Sequence, residues 1–272
     1  MKIWWQQPMP KKIPAIPNVD RMWEGILGVL KELAEDGTEI TQKFLEKGTY
    51  AIDTDFLQMY NNKCIVENIL QAENGGYDAV VIGCWTDPGL LAARAILNIP
   101  VIGIAEASYL LSCIIGRKAA AITVQPELVP GMNNTLKIYG FENRMIDTRP
   151  IRAFDMTNKE TGELFIDPFK SVIPKFEAVC RECMDDGADT IIAACGWLGP
   201  ALTKVGYKEV QGRKHAAPII DSCAVALKLA ESFVNLKKKI GLLKSEAVYY
   251  KMTKTVVDII NKNFGANVAY RE

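Results

Sequence analysis

One nine-residue pattern occurs twice in this 272-residue chain. Gly76-Tyr77-Asp78-Ala79-Val80-Val81-Ile82-Gly83-Cys84 aligns without a gap on Gly187-Ala188-Asp189-Thr190-Ile191-Ile192-Ala193-Ala194-Cys195, so glycine, aspartate and cysteine each recur 111 positions on. Each block is an apolar, β-branched run ending in a thiol, the composition of a parallel strand buried on both faces. Open α/β sheets keep their ligands beyond the carboxyl ends of such strands. A duplicated fold therefore predicts two thiols facing one another.

The repeat extends outward from these blocks. Ile3-Trp4-Trp5-Gln6-Gln7-Pro8 pairs with Ala121-Ile122-Thr123-Val124-Gln125-Pro126, both apolar runs closed by Gln-Pro, where proline can no longer donate to a ladder. Gly37-Thr38-Glu39-Ile40 pairs with Gly140-Phe141-Glu142-Asn143 as the turn into a second strand, and Pro100-Val101-Ile102-Gly103 pairs with Pro218-Ile219-Ile220-Asp221. The offsets run 118, 103, 111 and 118, as loop insertions would make them. Each half then alternates strand and helix through four strands, which implies βαβ units. The expected fold class is α/β: two pseudo-symmetric lobes, each a four-stranded parallel sheet flanked by helices, with the active site in the interlobe cleft.

Helical periodicity supplies the remaining elements. Residues 20–34 carry Met22, Trp23, Ile26, Leu27, Leu30 and Leu33 as one stripe, with Asp20 as the cap. Residues 65–72 and 176–184 precede the two cysteine strands as equivalent helices, and 224–236 and 248–260 read as helices beyond the second copy. That tail is expected to pack back on the first lobe. Residues 1–112 plus 222–272 then form the lobe of Cys84, and 113–221 the lobe of Cys195. The polar stretch 157–163 reads as an exposed loop, a bland surface insertion in preference to a substrate lid.

Composition narrows the partners. Lys and Arg number 32 and Asp and Glu 32, so no basic surface for nucleic acid or anionic membrane is expected. No apolar run is long enough to span a bilayer, and the first eight residues turn polar too early for a signal peptide, which predicts a cytoplasmic location. Seven cysteines, an odd number, suit a reducing compartment better than a disulfide framework. The expected partners are a small-molecule substrate and further copies of the chain in a homo-oligomer.

The flanks of the two thiols carry the chemistry. Cys84 is followed by Trp85-Thr86-Asp87-Pro88-Gly89, in which Thr86 or Asp87 can cap a helix that Pro88 suits in its first turn. Cys195 is followed by Gly196-Trp197-Leu198-Gly199-Pro200, with a proline similarly placed. A thiol between a strand end and a helix start meets free amides and the positive end of the helix dipole, which favour thiolate. The same amides can hold a carboxylate or enolate. Two opposed thiols suit proton removal from a carbon beside a carbonyl and proton return on the other face, with no metal and no cofactor. A single cysteine in such a place is more often a small buried hydrophobe; two at matching positions of a repeat make a catalytic pair the better reading.

These residues resemble a known family. Val81-Ile82-Gly83-Cys84-Trp85-Thr86-Asp87-Pro88-Gly89-Leu90, continued by Pro100-Val101-Ile102-Gly103-Ile104-Ala105-Glu106-Ala107, is similar to the first cysteine motif of hydantoin racemases in the aspartate/glutamate racemase superfamily. Ala194-Cys195-Gly196-Trp197-Leu198 is a looser match to the second motif. The resemblance spans residues 1–226 and implies two α/β lobes and cofactor-independent inversion at a carbon acidified by a carbonyl, with Cys84 and Cys195 as acid and base. Gln7 stands where the family usually has an asparagine in an Asn-Pro-Asn loop. Thr86, Thr123, Gln125 and Gly196 are further candidates for substrate contact. Trp85 and Trp197 either stack on a flat ring or serve as core aromatics. Glu106 either touches substrate or holds the fold.

Other patterns are weaker. Cys180 and Cys183 form a CxxC inside an expected helix, with no second pair for zinc, so helix packing is the better reading. His215, the only histidine, sits in a polar stretch read as a solvated loop. No glycine-rich phosphate motif follows a strand. The same scaffold could also run amino-acid racemisation, maleate isomerisation or malonate decarboxylation, although the decarboxylases keep only one thiol. A two-lobed binding protein without catalysis is the remaining alternative.

Overall fold

The computed structural model describes residues 1–249, 252–265 and 268. The first half runs β1 (Lys2–Gln6), α1 (Val19–Leu33), β2 (Glu39–Lys43), α2 (Asp55–Ile69), a short α3 (Gln71–Asn74), β3 (Ala79–Ile82), α4 (Leu90–Ile96), β4 (Val101–Gly103) and α5 (Ile104–Ile115). The second half runs β5 (Ala119–Thr123), α6 (Val129–Tyr139), β6 (Ile151–Ala153), α7 (Asn158–Glu163), α8 (Val172–Asp185), β7 (Thr190–Ala193), α9 (Leu198–Lys204), β8 (Glu209–Gln211), β9 (Ala216–Asp221) and α10 (Ser222–Ile240). Helix α11 (Lys254–Phe264) follows.

Each half builds a parallel sheet of one strand order, β2-β1-β3-β4 in the first and β6-β5-β7-β9 in the second. The central cysteine strands β3 and β7 are buried at every residue, as their continuous Ala-Val-Val-Ile and Thr-Ile-Ile-Ala runs require. The second sheet departs from the expected four strands. Antiparallel β8 pairs with β9 at its edge, and the expected loop around His215 is the turn that joins them, closed by Gly212 donating to the His215 carbonyl. Only Val210 of β8 is buried, too little alternation to mark a strand in sequence.

Strand register refines the repeat. Trp4 pairs with Val80 and Ala120 with Ile191, so with β3 and β7 at offset 111 the first strands match at 116, not 118. Gln7 is thereby the counterpart of Thr123 rather than of Gln125. The slip is even, so the same residues face the same way. The second strands match at 109 rather than 103, because a 3₁₀ turn at Glu142–Arg144 and a loop through Pro150 precede β6. The last strands keep the offset of 118.

Helix α1 buries Met22, Trp23, Ile26 and Leu30, but its N-cap is Asn18 in the left-handed region, with Asp20 in the first turn. Helix α10 packs on α5, β3 and β4, carrying the chain back to the first sheet. Of the helix expected over 248–260, residues 250 and 251 lie outside the described residues, as do 266, 267 and 269–272 of the expected tail; the described helix is α11. Among the described residues no helix is long and apolar enough to cross a membrane.

Candidate active site

The carboxyl ends of β1, β3, β5 and β7 open onto one cavity of about 380 Å³, towards the small end of the range for ligand pockets. Cys84 and Cys195 both line it. Cys84 is buried and Cys195 half-buried. The two cysteine loops abut: a Cβ on Gly196 would collide with the carbonyl oxygen of Gly83, so only glycine lets the strand ends come this close.

The thiols are not equivalent. The Cys84 sulfur sits 3.4 Å from Thr86 Oγ1, whereas the Cys195 sulfur accepts the Trp197 amide at 3.5 Å. Helix α9 begins three residues after Cys195, but α4 begins six after Cys84, with Gly89 as its N-cap and no side-chain cap. Burial pushes the Cys84 thiol up to about 11; its contacts with Thr86 oppose this, and proximity to Cys195 and Asp87 adds to it. Burial pushes Cys195 up as well, against hydrogen bonds from the Trp197 and Leu198 amides. A further thiol, the buried Cys223, donates to the Gly196 carbonyl at 3.4 Å and supports that loop.

Asp87 does not cap the helix after Cys84. With φ at 44° it turns back, and its carboxylate accepts the amides of Ala105 at 3.1 Å and Glu106 at 3.0 Å, in the first turn of α5. Tyr139 Oη donates to the same group at 2.9 Å. Burial outweighs these three bonds and lifts the carboxyl to about 7. In the second half Asp221 does the same for α10, accepting Cys223 N and Ala224 N at 2.9 and 3.2 Å. The carboxylates come from different strands, and each occupies the space left by a glycine in the other position, Gly103 for Asp87 and Gly199 for Asp221. The two halves thus cap equivalent helices by exchanged means.

The remaining predicted residues divide. Trp85, Thr86, Thr123, Gln125, Gly196 and Trp197 line the cavity; Gln7 does not. Gln7 is buried, and among the described residues neither its Oε1 nor its Nε2 has a hydrogen-bond partner; the hydroxyl of its counterpart Thr123 is likewise unpaired. Trp85 does double service, lining the cavity while packing edge-on against Tyr109 at 5.5 Å, and Trp197 meets Trp23 in the same manner at 5.8 Å. Glu106 pairs with Arg94 at 3.0 Å, away from the cavity. Cys180 and Cys183 are buried on α8, in the apolar core that it forms with β5 and β7. Among the described residues no three His, Cys, Asp or Glu side chains are grouped to hold a metal ion.

One side of the rim was missed in sequence, and the other was read as a surface insertion in preference to a substrate lid. Tyr50 to Asp53, between β2 and α2, cover the cavity from one side. Asn158 and Thr161 cover it from the other, and they belong to α7, not to a loop. Thr157 and Glu160 form a reciprocal capping box that starts this helix. Gly162 then lets α7 press on the Pro17 carbonyl, where a Cβ would collide. The Thr-x-x-Glu pattern was the signal available.

The comparisons agree with this architecture. The family model described as Asp/Glu/Hydantoin racemase matches residues 20–230. A hydantoin racemase from Pseudomonas sp. (strain NS671) is 28% identical over 248 residues, 90% of this chain and 93% of that protein. The structure of an allantoin racemase from Klebsiella pneumoniae superposes with a TM-score of 0.74 at 25% identity, covering 93% of this chain and 95% of its own. An allantoin racemase from Pseudomonas fluorescens shares the fold, with a TM-score of 0.71 at 23% identity. The chain belongs to the Asp/Glu/hydantoin racemase family and is an isomerase of that family.

Proposed function

We propose that this racemase inverts the stereocentre of a hydantoin, or a closely related cyclic amino-acid derivative, without a cofactor, using Cys84 and Cys195 as paired acid and base. The observation that carries the substrate class is the lining: among the described residues it holds both thiols but no Lys, Arg or His. A free amino acid brings a carboxylate that needs a cationic or multiply hydrogen-bonded seat when desolvated. A neutral cyclic ureide needs none, and Trp85 and Trp197 offer faces for a flat ring. The hydantoin and allantoin racemases to which the chain is similar act on rings of this kind, as their names state.

In this reading one sulfur, as thiolate, takes the proton from the carbon between ring carbonyl and ring nitrogen. The electron pair moves into the carbonyl as an enolate, and the opposite thiol returns a proton to the other face. Thiol and thiolate end exchanged, so each enantiomer meets the site in the opposite protonation state. Two amides, of Trp197 and Leu198, support a thiolate at Cys195, against one amide and the hydroxyl of Thr86 at the more strongly raised Cys84, which favours Cys195 as the resting thiolate. Thr86 and Thr123 are hydroxyl donors for the ring oxygens. We assign residues 1–112 and 222–272 to the lobe of Cys84 and 113–221 to that of Cys195; the seat of α10 on β3 and β4 supports this division.

A single enantiomer of a 5-substituted hydantoin incubated in deuterated water tests the reaction. Optical rotation is expected to decay while deuterium enters at the stereocentre. Retained rotation across a broad hydantoin panel would refute it.

A further inference from the structure

We infer that Asp53 is a specificity residue that seats a cationic substituent, an ammonium or guanidinium group, carried on the substrate's racemised carbon. This rests on the hydantoin reading of the cavity and names the side chain that such a ring would bear.

Among the described residues Asp53 is the only charged one lining the cavity. Its side chain is half-buried, and among the described residues its Oδ1 accepts no hydrogen bond and no salt bridge reaches it. A half-buried carboxylate that no cation of the protein neutralises gains by pairing with a cation carried into the cavity. Local structure gives Asp53 no other task. The helix that follows is already capped by Thr54, whose hydroxyl accepts Leu57 N at 3.3 Å. The neighbouring strap is tied by other groups, with Thr49 N donating to Asn61 Oδ1 at 2.8 Å and Gln58 Nε2 to the Ile52 carbonyl at 2.9 Å.

Position fits the role. The thiols and both tryptophans stand on the loops that follow β3 and β7, at the cavity floor, whereas Asp53 stands on the rim segment after β2 with Tyr50 and Ile52. The same cavity has an apolar lining that includes Met9 and Ile16, so a ring at the sulfurs can direct its substituent along apolar surface to the one carboxylate. The wall accommodates a methylene chain and the carboxylate its charged end, the division of labour that long basic side chains favour.

The test compares three enantiopure hydantoins bearing an aminobutyl, an isobutyl or a carboxyethyl group, racemised by the wild-type protein and by Asp53→Asn. The wild type is expected to favour the aminobutyl over the isobutyl compound in kcat/KM by about tenfold or more, the size of one charge-assisted hydrogen bond. The carboxyethyl compound is expected to be the poorest of the three. In Asp53→Asn the aminobutyl preference is expected to fall to within about threefold of unity, as the donor then meets a neutral acceptor. Racemisation of the isobutyl compound with no aminobutyl preference, or a preference that Asp53→Asn leaves intact, overturns the role of Asp53 and leaves the hydantoin reading standing. Racemisation of none of the three overturns both.

Discussion

Gly196→Ala should separate the two thiols at a single atom's cost. The new methyl would fall on the Gly83 carbonyl oxygen, a backbone atom at the end of the opposite cysteine strand, so no side chain can swing away to receive it. One loop must move, and both are anchored. Gly83 N donates to the Gln6 carbonyl at 2.8 Å, and the Gly196 carbonyl accepts from Cys223. Overpacking of this kind costs about 1–3 kcal/mol, and at about 2–4 °C per kcal/mol the melting temperature should drop by roughly 2–12 °C. Displacing one sulfur by ~1 Å should lower the racemisation rate about a hundredfold. Gly28→Ala is the control, because at the middle of α1 its methyl would meet open space at an ordinary helical φ. It should raise stability by about 0.5–1 kcal/mol through helix propensity and leave the rate unchanged. Polarimetric rates and thermal melts of the three proteins decide the matter. Wild-type rate and melting temperature in Gly196→Ala would refute the close approach of the two loops.

The raised thiols set a pH profile. Burial disfavours the thiolate, so the base form grows with pH and kcat/KM should climb beyond pH 8.5, the ordinary cysteine value, falling only as the acid thiol ionises towards about 11; a plateau reached by pH 7 would contradict this. Asp87→Ala should destabilise the protein by about 3 kcal/mol or more, since it strands two α5 amides and the Tyr139 hydroxyl and puts alanine at a φ of 44°. A urea midpoint within error of wild type would remove Asp87 from the frame behind Cys84.

The legible part of this molecule was the part written in continuous residues. Val80 to Ile82 and Ile191 to Ala193 are apolar throughout because parallel strands are covered on both faces, and the thiols that end them kept one offset because no insertion lies inside the repeat unit. The first strands slipped by two because Gln-Pro after an apolar run fits either register, and only ladder pairing chooses. Asp87 was misassigned since its helix begins at Ile104, far beyond local reach; a short polar side chain next to a proline signals a cap but not whose. The rim's share in the site was left unassigned for a related reason. Asp53 and Thr161 reach the cavity through the packing of β2 and β6 at equivalent sheet edges, and neither sits in a pattern that marks a ligand.

The central claim is that two thiols act from opposite faces of one carbon. Cys84→Ser and Cys195→Ser, each compared with wild type for racemisation of both enantiomers and for thermal unfolding, test it most directly. Each variant is predicted to stay folded, with a melting temperature near that of wild type, and to lose racemisation in both directions. Full racemase activity in either variant would contradict the two-thiol mechanism.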